Sequence, residues 1–177
     1  MSSRWRTAKL TEIPGSEQIP VPGLDRTPDE ESEARRRRDP AALQRWDEFA
    51  RRWPENDRSA HAVRRYLGLT SFGCNAYSAS AGNPLVIPHD EAAYGQEELY
   101  LVVEGRAGFV CDGEETELGP GELLFAPPEV HREAYALETP TTLFLVGGRP
   151  GHAYEPPAWA RDARSGGGAD APPPRSA

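Results

Sequence analysis

The stretch from Gly95 to Tyr135, GQEELYLVVEGRAGFVCDGEETELGPGELLFAPPEVHREAY, leaves this chain few ways to fold. It reads as a strand, a tight turn, a second strand, an Asp-Gly turn, a third strand, and a Pro-Pro corner into a fourth. Glu98, Tyr100 and Val102 alternate with Leu99, Leu101 and Val103, so the two sets point to opposite faces of one strand. The second set is wholly apolar. The first opens on a carboxylate and a phenol, which suits a strand whose face lines a pocket. Asp112-Gly113 between two such runs marks a hairpin, because both residues accept a positive φ.

The rest of the chain extends this pattern. From Val63 onward the periodicity is that of strands. Phe72, Cys74 and Ala76 fall on one face, with Ser71, Gly73, Asn75 and Tyr77 on the other. Leu85-Val86-Ile87 is a short apolar strand closed by Pro88-His89-Asp90-Glu91, and Thr141–Val146 is a last strand ended by Gly147-Gly148. Roughly seven short strands with turn signals and no helices between them indicate an antiparallel sandwich or barrel. Upstream, Asp39-Pro40 makes a helix start, Leu43, Trp46, Phe49, Ala50 and Trp53 form one stripe, and Pro54 ends it. The expected organisation is an extended arm and charged linker over 1–38, an amphipathic helical segment over 39–62, a β-barrel over 63–159 and a disordered tail over 160–177.

Charge narrows the function classes. Residues 61–150 carry 5 basic against 13 acidic side chains, so the net charge of −8 belongs to the barrel. Such a surface repels nucleic acid. The run Arg35–Arg38 is flanked by Asp29, Glu30, Glu31, Glu33 and Asp39 and reads as a solvated charged segment. No apolar run is long enough to span a bilayer, and MSSRWRTAKL lacks the apolar core of a leader, so the expectation is a cytoplasmic protein with no membrane partner. Cys74 and Cys111 imply no disulfide framework.

The spacing Glu98-x6-Gly105, then Gly121-x5-Pro127 with a histidine four residues later, resembles the two motifs of the cupin superfamily. The pieces that carry it are Glu97–Gly105 and Gly119–Pro128, framed by LGLTSFGCNAY at 67–77 and VGGRPGHAYEPPAW at 146–159, and the chain is similar to small bacterial single-domain cupins. The resemblance implies an all-β fold, an antiparallel jelly-roll barrel of the RmlC-like kind, here with an N-terminal arm and helical extension. It also implies a metal or small-molecule site at the barrel mouth. The family pattern places a His-x-His pair shortly before its glutamate, but the positions counted back from Glu98 hold Ala92 and Tyr94, or Glu91 and Ala93. His89 and Glu91 are the nearest substitutes. In the second motif, strict spacing from Pro127 puts Arg132 at the histidine position, with His131 one residue early. A one-residue slip turns a side chain to the other face, so His131 and Arg132 cannot both point inward.

Two site readings follow. In the first, His89, Glu91, Glu98 and His131 hold a divalent metal (Fe, Mn, Ni or Zn), with Glu98, His131 and Tyr94 as catalytic candidates. In the second, Arg132 points inward and pairs with Glu98 or clamps an anionic group, and Tyr100, Arg132, Asn75 and Tyr77 line a ligand pocket. With the histidine pair absent, the reading favours a protein that binds a small polar metabolite in its barrel with little dependence on metal. The alternatives are a cupin enzyme, metal-dependent or an epimerase-type acid–base catalyst, and an interaction module acting through the N-terminal helix. The apolar face of the strand at 98–103 points to a homodimer.

Overall fold

A computed structural model describes residues 8–13, 15–16, 44 and 48–155. Most of the expected arm, the start of the helical segment with Trp46, and the expected tail lie outside these residues. The described chain is mostly β: β1 (Gly15–Ser16), β2 (Ser59–His61), β3 (Gly73–Ala79), β4 (Pro84–His89), β5 (Glu97–Glu104), β6 (Ala107–Cys111), β7 (Glu114–Leu118), β8 (Leu123–Ala126), β9 (Arg132–Ala136) and β10 (Thr141–Gly148). To these are added a 3-10 turn (Leu10–Glu12) and one short helix, α1 (Val63–Leu67).

The strands form two antiparallel sheets, one of six strands in the order β1-β2-β3-β10-β5-β8 and one of four in the order β4-β9-β6-β7. Successive strands from β3 to β10 are dealt between the two sheets in jelly-roll order. No helix among the described residues is long and apolar enough to cross a membrane.

Local chemistry accounts for the turns. Asp112 and Gly113 both adopt positive φ (50° and 86°) and join Cys111 directly to Glu114 across the β6–β7 hairpin. Gly105 turns β5 into β6 with φ 71°, and a Cβ there would lie 2.3 Å from the Pro140 carbonyl oxygen. Pro88 sits in β4, an edge strand, where its missing N–H interrupts no interior ladder.

The core between the sheets is built by Tyr77, Leu85, Tyr100, Val102, Phe109, Leu143, Ala79 of β3 and the alanines of β6, β8 and β9. Outside the six-stranded sheet, Ile13, Val63, Cys74 and Ala76 make a second cluster with Phe144 and Val146. The apolar face of β3 is therefore the outer one, and Asn75 and Tyr77 share the inner one. On the other sheet, the helical residues 48–52 bring Phe49 and Trp53 against Ile87, and Arg52 pairs with Glu133 of β9 at 2.6 Å. Phe49 and Trp53 of the expected stripe thus pack on the barrel itself.

Two expectations are corrected. Helix does not continue to residue 62: it stops at residue 52, before Pro54, and Ser59–His61 pairs with β3. Val63–Leu67 is helical rather than extended, because Val63 turns inward to the outer cluster while Tyr66 and Leu67 pack beside it at helical spacing. The barrel therefore recruits residues upstream of 63: β2 and β1 extend the six-stranded sheet, and His61 bonds the Ile13 carbonyl (3.1 Å) and Ser78 (3.3 Å).

The two turn glycines give a stability test. Alanine at either must take up a left-handed backbone, at a cost of about 1–2 kcal/mol. Only Gly105→Ala must also displace a carbonyl, whereas a Cβ at Gly113 meets open space. Chemical denaturation is expected to show the larger loss for Gly105→Ala by at least about 1 kcal/mol; equal losses would contradict the tight packing of the β5–β6 turn.

Candidate functional site

Glu98 occupies the inner face at the start of β5, directly opposite Ala126 of β8 on one side and Gly147 of β10 on the other. These small neighbours leave room for its carboxylate; a Cβ on Gly147 would already lie 3.3 Å from the Glu98 side chain. From the facing sheet comes Arg132, the first residue of β9 and completely buried. Its Nη2 donates to Glu98 Oε2 at 2.7 Å, its Nε to the Tyr100 hydroxyl at 3.4 Å, and its Nη1 to the Val130 carbonyl at 3.0 Å. The Tyr100 hydroxyl donates a short hydrogen bond to the same Glu98 oxygen, with its ring set edge-on to Phe109.

His89 ends β4 opposite Arg132 and joins this group from the mouth side. Its Nδ1 lies 2.6 Å from the Ile87 carbonyl, which can only accept, so that nitrogen carries a hydrogen. Its Nε2 then faces two carboxylates, Glu91 at 3.6 Å and Glu98 at 3.7 Å. A bare lone pair there would confront anionic oxygens, so the cluster holds a proton among His89 and its carboxylate neighbours. Glu91 is positioned by a turn: its N–H donates to the Pro128 carbonyl, its carbonyl accepts from Tyr94 and Gly95, and Gln96 donates to its carboxylate at 3.1 Å.

The two carboxylates are driven apart. Burial and the neighbouring Glu98 charge raise Glu91 above the usual carboxylate range, against the opposing pull of His89, Gln96 and Arg132. Burial also pushes Glu98 upward, but its contacts with His89, Arg132 and the Tyr100 hydroxyl outweigh it and hold Glu98 down to about 2. Burial raises Tyr100 well above its ordinary value, and the Glu98 charge adds to this. Tyr100 is therefore a fixed donor.

Of the proposed metal ligands, the structure gathers His89, Glu91 and Glu98, each offering an atom within 4.8 Å of the others. His131 is not among them. It is exposed, held in the β-turn region by its N–H to Asp112 Oδ1 (3.0 Å) and its carbonyl to the Asp112 N–H (2.9 Å). β9 begins one residue later, so Arg132 takes the inward register and His131 faces outward. As a catalytic candidate His131 is excluded from the cluster on the same ground. Tyr94 lies half-buried in the turn after Glu91, and the phenol that meets Glu98 is Tyr100. Tyr77 is buried on the inner face of β3, with Asn75 beside it.

Two site neighbours escape the motif-based reading. Gln96 orients Glu91. Arg58 is 3% exposed, lies 4.0 Å over the Tyr77 ring and donates to the Leu85 carbonyl at 2.8 Å, bridging β3 and β4. Its only sequence signal is the Arg58, Ala60 alternation, inside a stretch whose helical stripe dominates.

The Arg132 guanidinium beside Glu98 weighs against a divalent cation in this cluster. Glu98 Oε2, one of the three oxygens and nitrogens a cation would use, already accepts from Arg132 and Tyr100. A dication held by that oxygen would face the guanidinium across roughly 5 Å, a repulsion of about 7 kcal/mol at an effective dielectric of ~20.

Stability should report the ion pair directly. A carboxylate lowered from 4.5 to about 2 in the folded chain contributes stability that is full above 4.5 and is lost as pH falls toward 2. Glu98→Gln leaves Arg132 buried and unpaired, so unfolding at neutral pH is expected to become easier by about 3 kcal/mol, and the decline between pH 4.5 and 2 to flatten. A variant with unchanged stability and an unchanged acid limb would contradict this.

No family model and no curated protein matches the chain. Among solved structures it is similar to a cupin protein from Bacteroides fragilis (22% identity, 58% of this chain and 84% of that one, TM-score 0.47). It is similar to KdgF from Halomonas sp. (20% identity, 51% and 76%, TM-score 0.44). A third is a sugar phosphate isomerase from a cupin superfamily from Silicibacter pomeroyi (27% identity, 52% and 59%, TM-score 0.44). Each of these likenesses covers between 51% and 58% of this chain.

Proposed function

We propose that this chain binds a small polar metabolite at the barrel mouth without a resident metal, Arg132 supplying the positive charge that a metal would bring. The observation that carries the reading is the ion pair between fully buried Arg132 and Glu98, 2.7 Å long, in the cluster where ligand donors converge. His89 and Glu91 are each 14% exposed at the side chain and stand at the outer rim of this network. With Gln96 they present a donor and acceptor set suited to hydroxyl and carboxyl groups of a ligand. Glu98, Tyr100 and Arg132 hold that set in place and are positioning residues.

The second reading is an acid–base enzyme, favoured by the opposed shifts of Glu91 and Glu98 around one imidazole. In that case Glu91 with His89 exchanges the proton, and Glu98, held ionised, fixes the imidazole. Glu91→Gln would then retain ligand binding and lose turnover.

Elemental analysis of untagged protein tests the first reading. The expected result is Fe, Mn, Ni and Zn far below stoichiometry, with a melting temperature unchanged by chelator. Stoichiometric metal in the wild type, lost in His89→Ala and in Glu98→Ala, would overturn it.

A further inference from the structure

One buried charge stands outside the network at the mouth. Arg58 is 3% exposed and immediately precedes β2, two residues before the core residue Ala60, so its side chain points between the sheets. Its Nε donates to the Leu85 carbonyl at 2.8 Å, and its guanidinium carbon lies 4.0 Å over the Tyr77 ring. Among the described residues no carboxylate pairs with it; the ion pairs there join other side chains. The two carboxylates of the mouth cluster are already engaged, Glu98 by Arg132 at 2.7 Å and Glu91 by Gln96 at 3.1 Å. A cation held this far from water without a counter-ion is costly.

The inner face of the six-stranded sheet leads toward it. Asn75 pairs with Leu145, and Leu145 with Tyr100, so these three share one inner row. It lies about 7 Å deeper than the row of Gly73, Gly147 and Glu98, two residues along each strand. Asn75 is only half-buried although it faces inward, so solvent reaches into the barrel at this row. Tyr77 stands one row deeper, and its phenol interacts with both Arg58 and Asn75. Burial raises that phenol above its ordinary value, so it stays a neutral donor and does not itself neutralise the guanidinium.

We infer that the ligand is a small carboxylate, its anionic group seated on Asn75 and the Tyr77 hydroxyl with Arg58 as the counter-charge. This rests on the reading of the barrel mouth as a site for a small polar metabolite, and it narrows that class to a hydroxy acid. The Asn75 amide and the Tyr77 hydroxyl can both donate, as a carboxylate requires, and one uncompensated guanidinium matches one negative charge. A carboxylate one row in from Glu98 leaves the rest of the molecule at the height of His89, Glu91 and Gln96, which suit hydroxyl groups. A neutral polyol would leave Arg58 without an anion.

The test is the melting temperature of the full chain in acetate, the simplest carboxylate, against chloride at matched ionic strength and neutral pH with a chelator present. Wild type is expected to melt about 3 °C or more higher in ~100 mM acetate. Arg58→Met is expected to lose that rise. Tyr77→Phe, which keeps the ring beneath the guanidinium and removes only the hydroxyl, is expected to lose most of it. A wild type that melts no higher in acetate than in chloride overturns the inference, and so does a rise that survives in Arg58→Met. Should Arg58→Met fail to fold, Tyr77→Phe decides in its place: a lost rise supports the subsite and a retained one overturns it. Metal content does not enter this readout. Stoichiometric metal together with an Arg58-dependent acetate rise would sink the metal-free reading and leave the subsite standing, whereas metal-free protein without an acetate rise sinks the subsite alone.

Discussion

A single buried ion pair sets the terms for the interior of this barrel. Arg132 enters from the four-stranded sheet and Glu98 from the six-stranded one, so their 2.7 Å contact ties the sheets together at the mouth. Removing two charges from water is costly, and the cost is recovered only where the remaining donors and acceptors are satisfied. Here the guanidinium also reaches Tyr100 and the Val130 carbonyl, and the same carboxylate oxygen takes the Tyr100 hydroxyl. Each partner is therefore constrained by the others. Gly147 fits this arrangement, since a Cβ there would lie 3.3 Å from the Glu98 side chain.

The chemistry at the rim depends on that interior. Because Glu98 is held ionised by His89, Arg132 and Tyr100, its charge adds to burial in shifting the neighbouring Glu91 upward. Two carboxylates close together thus acquire different roles from their surroundings alone. A metal would perform a similar charge compensation, but it would have to displace or tolerate a permanent cation at the same oxygen. On the proposed reading, Arg132 takes the electrostatic place of the ion.

Much of this was legible in the residues. Period-two alternation puts Glu98 and Tyr100 on one face and the leucines on the other, and the structure keeps that division. Asp112-Gly113 specifies its hairpin because few other pairs accept two positive φ values. The choice between His131 and Arg132 was not legible, since it turns on where β9 begins, a register marked by hydrogen bonds from the His131 backbone to the Asp112 side chain and backbone. His89 joins the cluster through register irregularities in β4, which local pattern does not reveal. Arg58 was hidden because the helical stripe before it masks the short strand β2, whose pairing to β3 is a tertiary event.

The central claim is that Arg132 occupies the electrostatic place of a metal, and titration calorimetry of Arg132→His with Zn2+ or Ni2+ tests it most directly. That variant removes the fixed charge beside Glu98 and offers an imidazole to His89, Glu91 and Glu98. The account predicts that the wild type binds these ions only weakly and that the variant binds them at least about 100-fold more tightly, the scale a well-placed ligand shell commands. Tight binding by the wild type, abolished in His89→Ala, would contradict it.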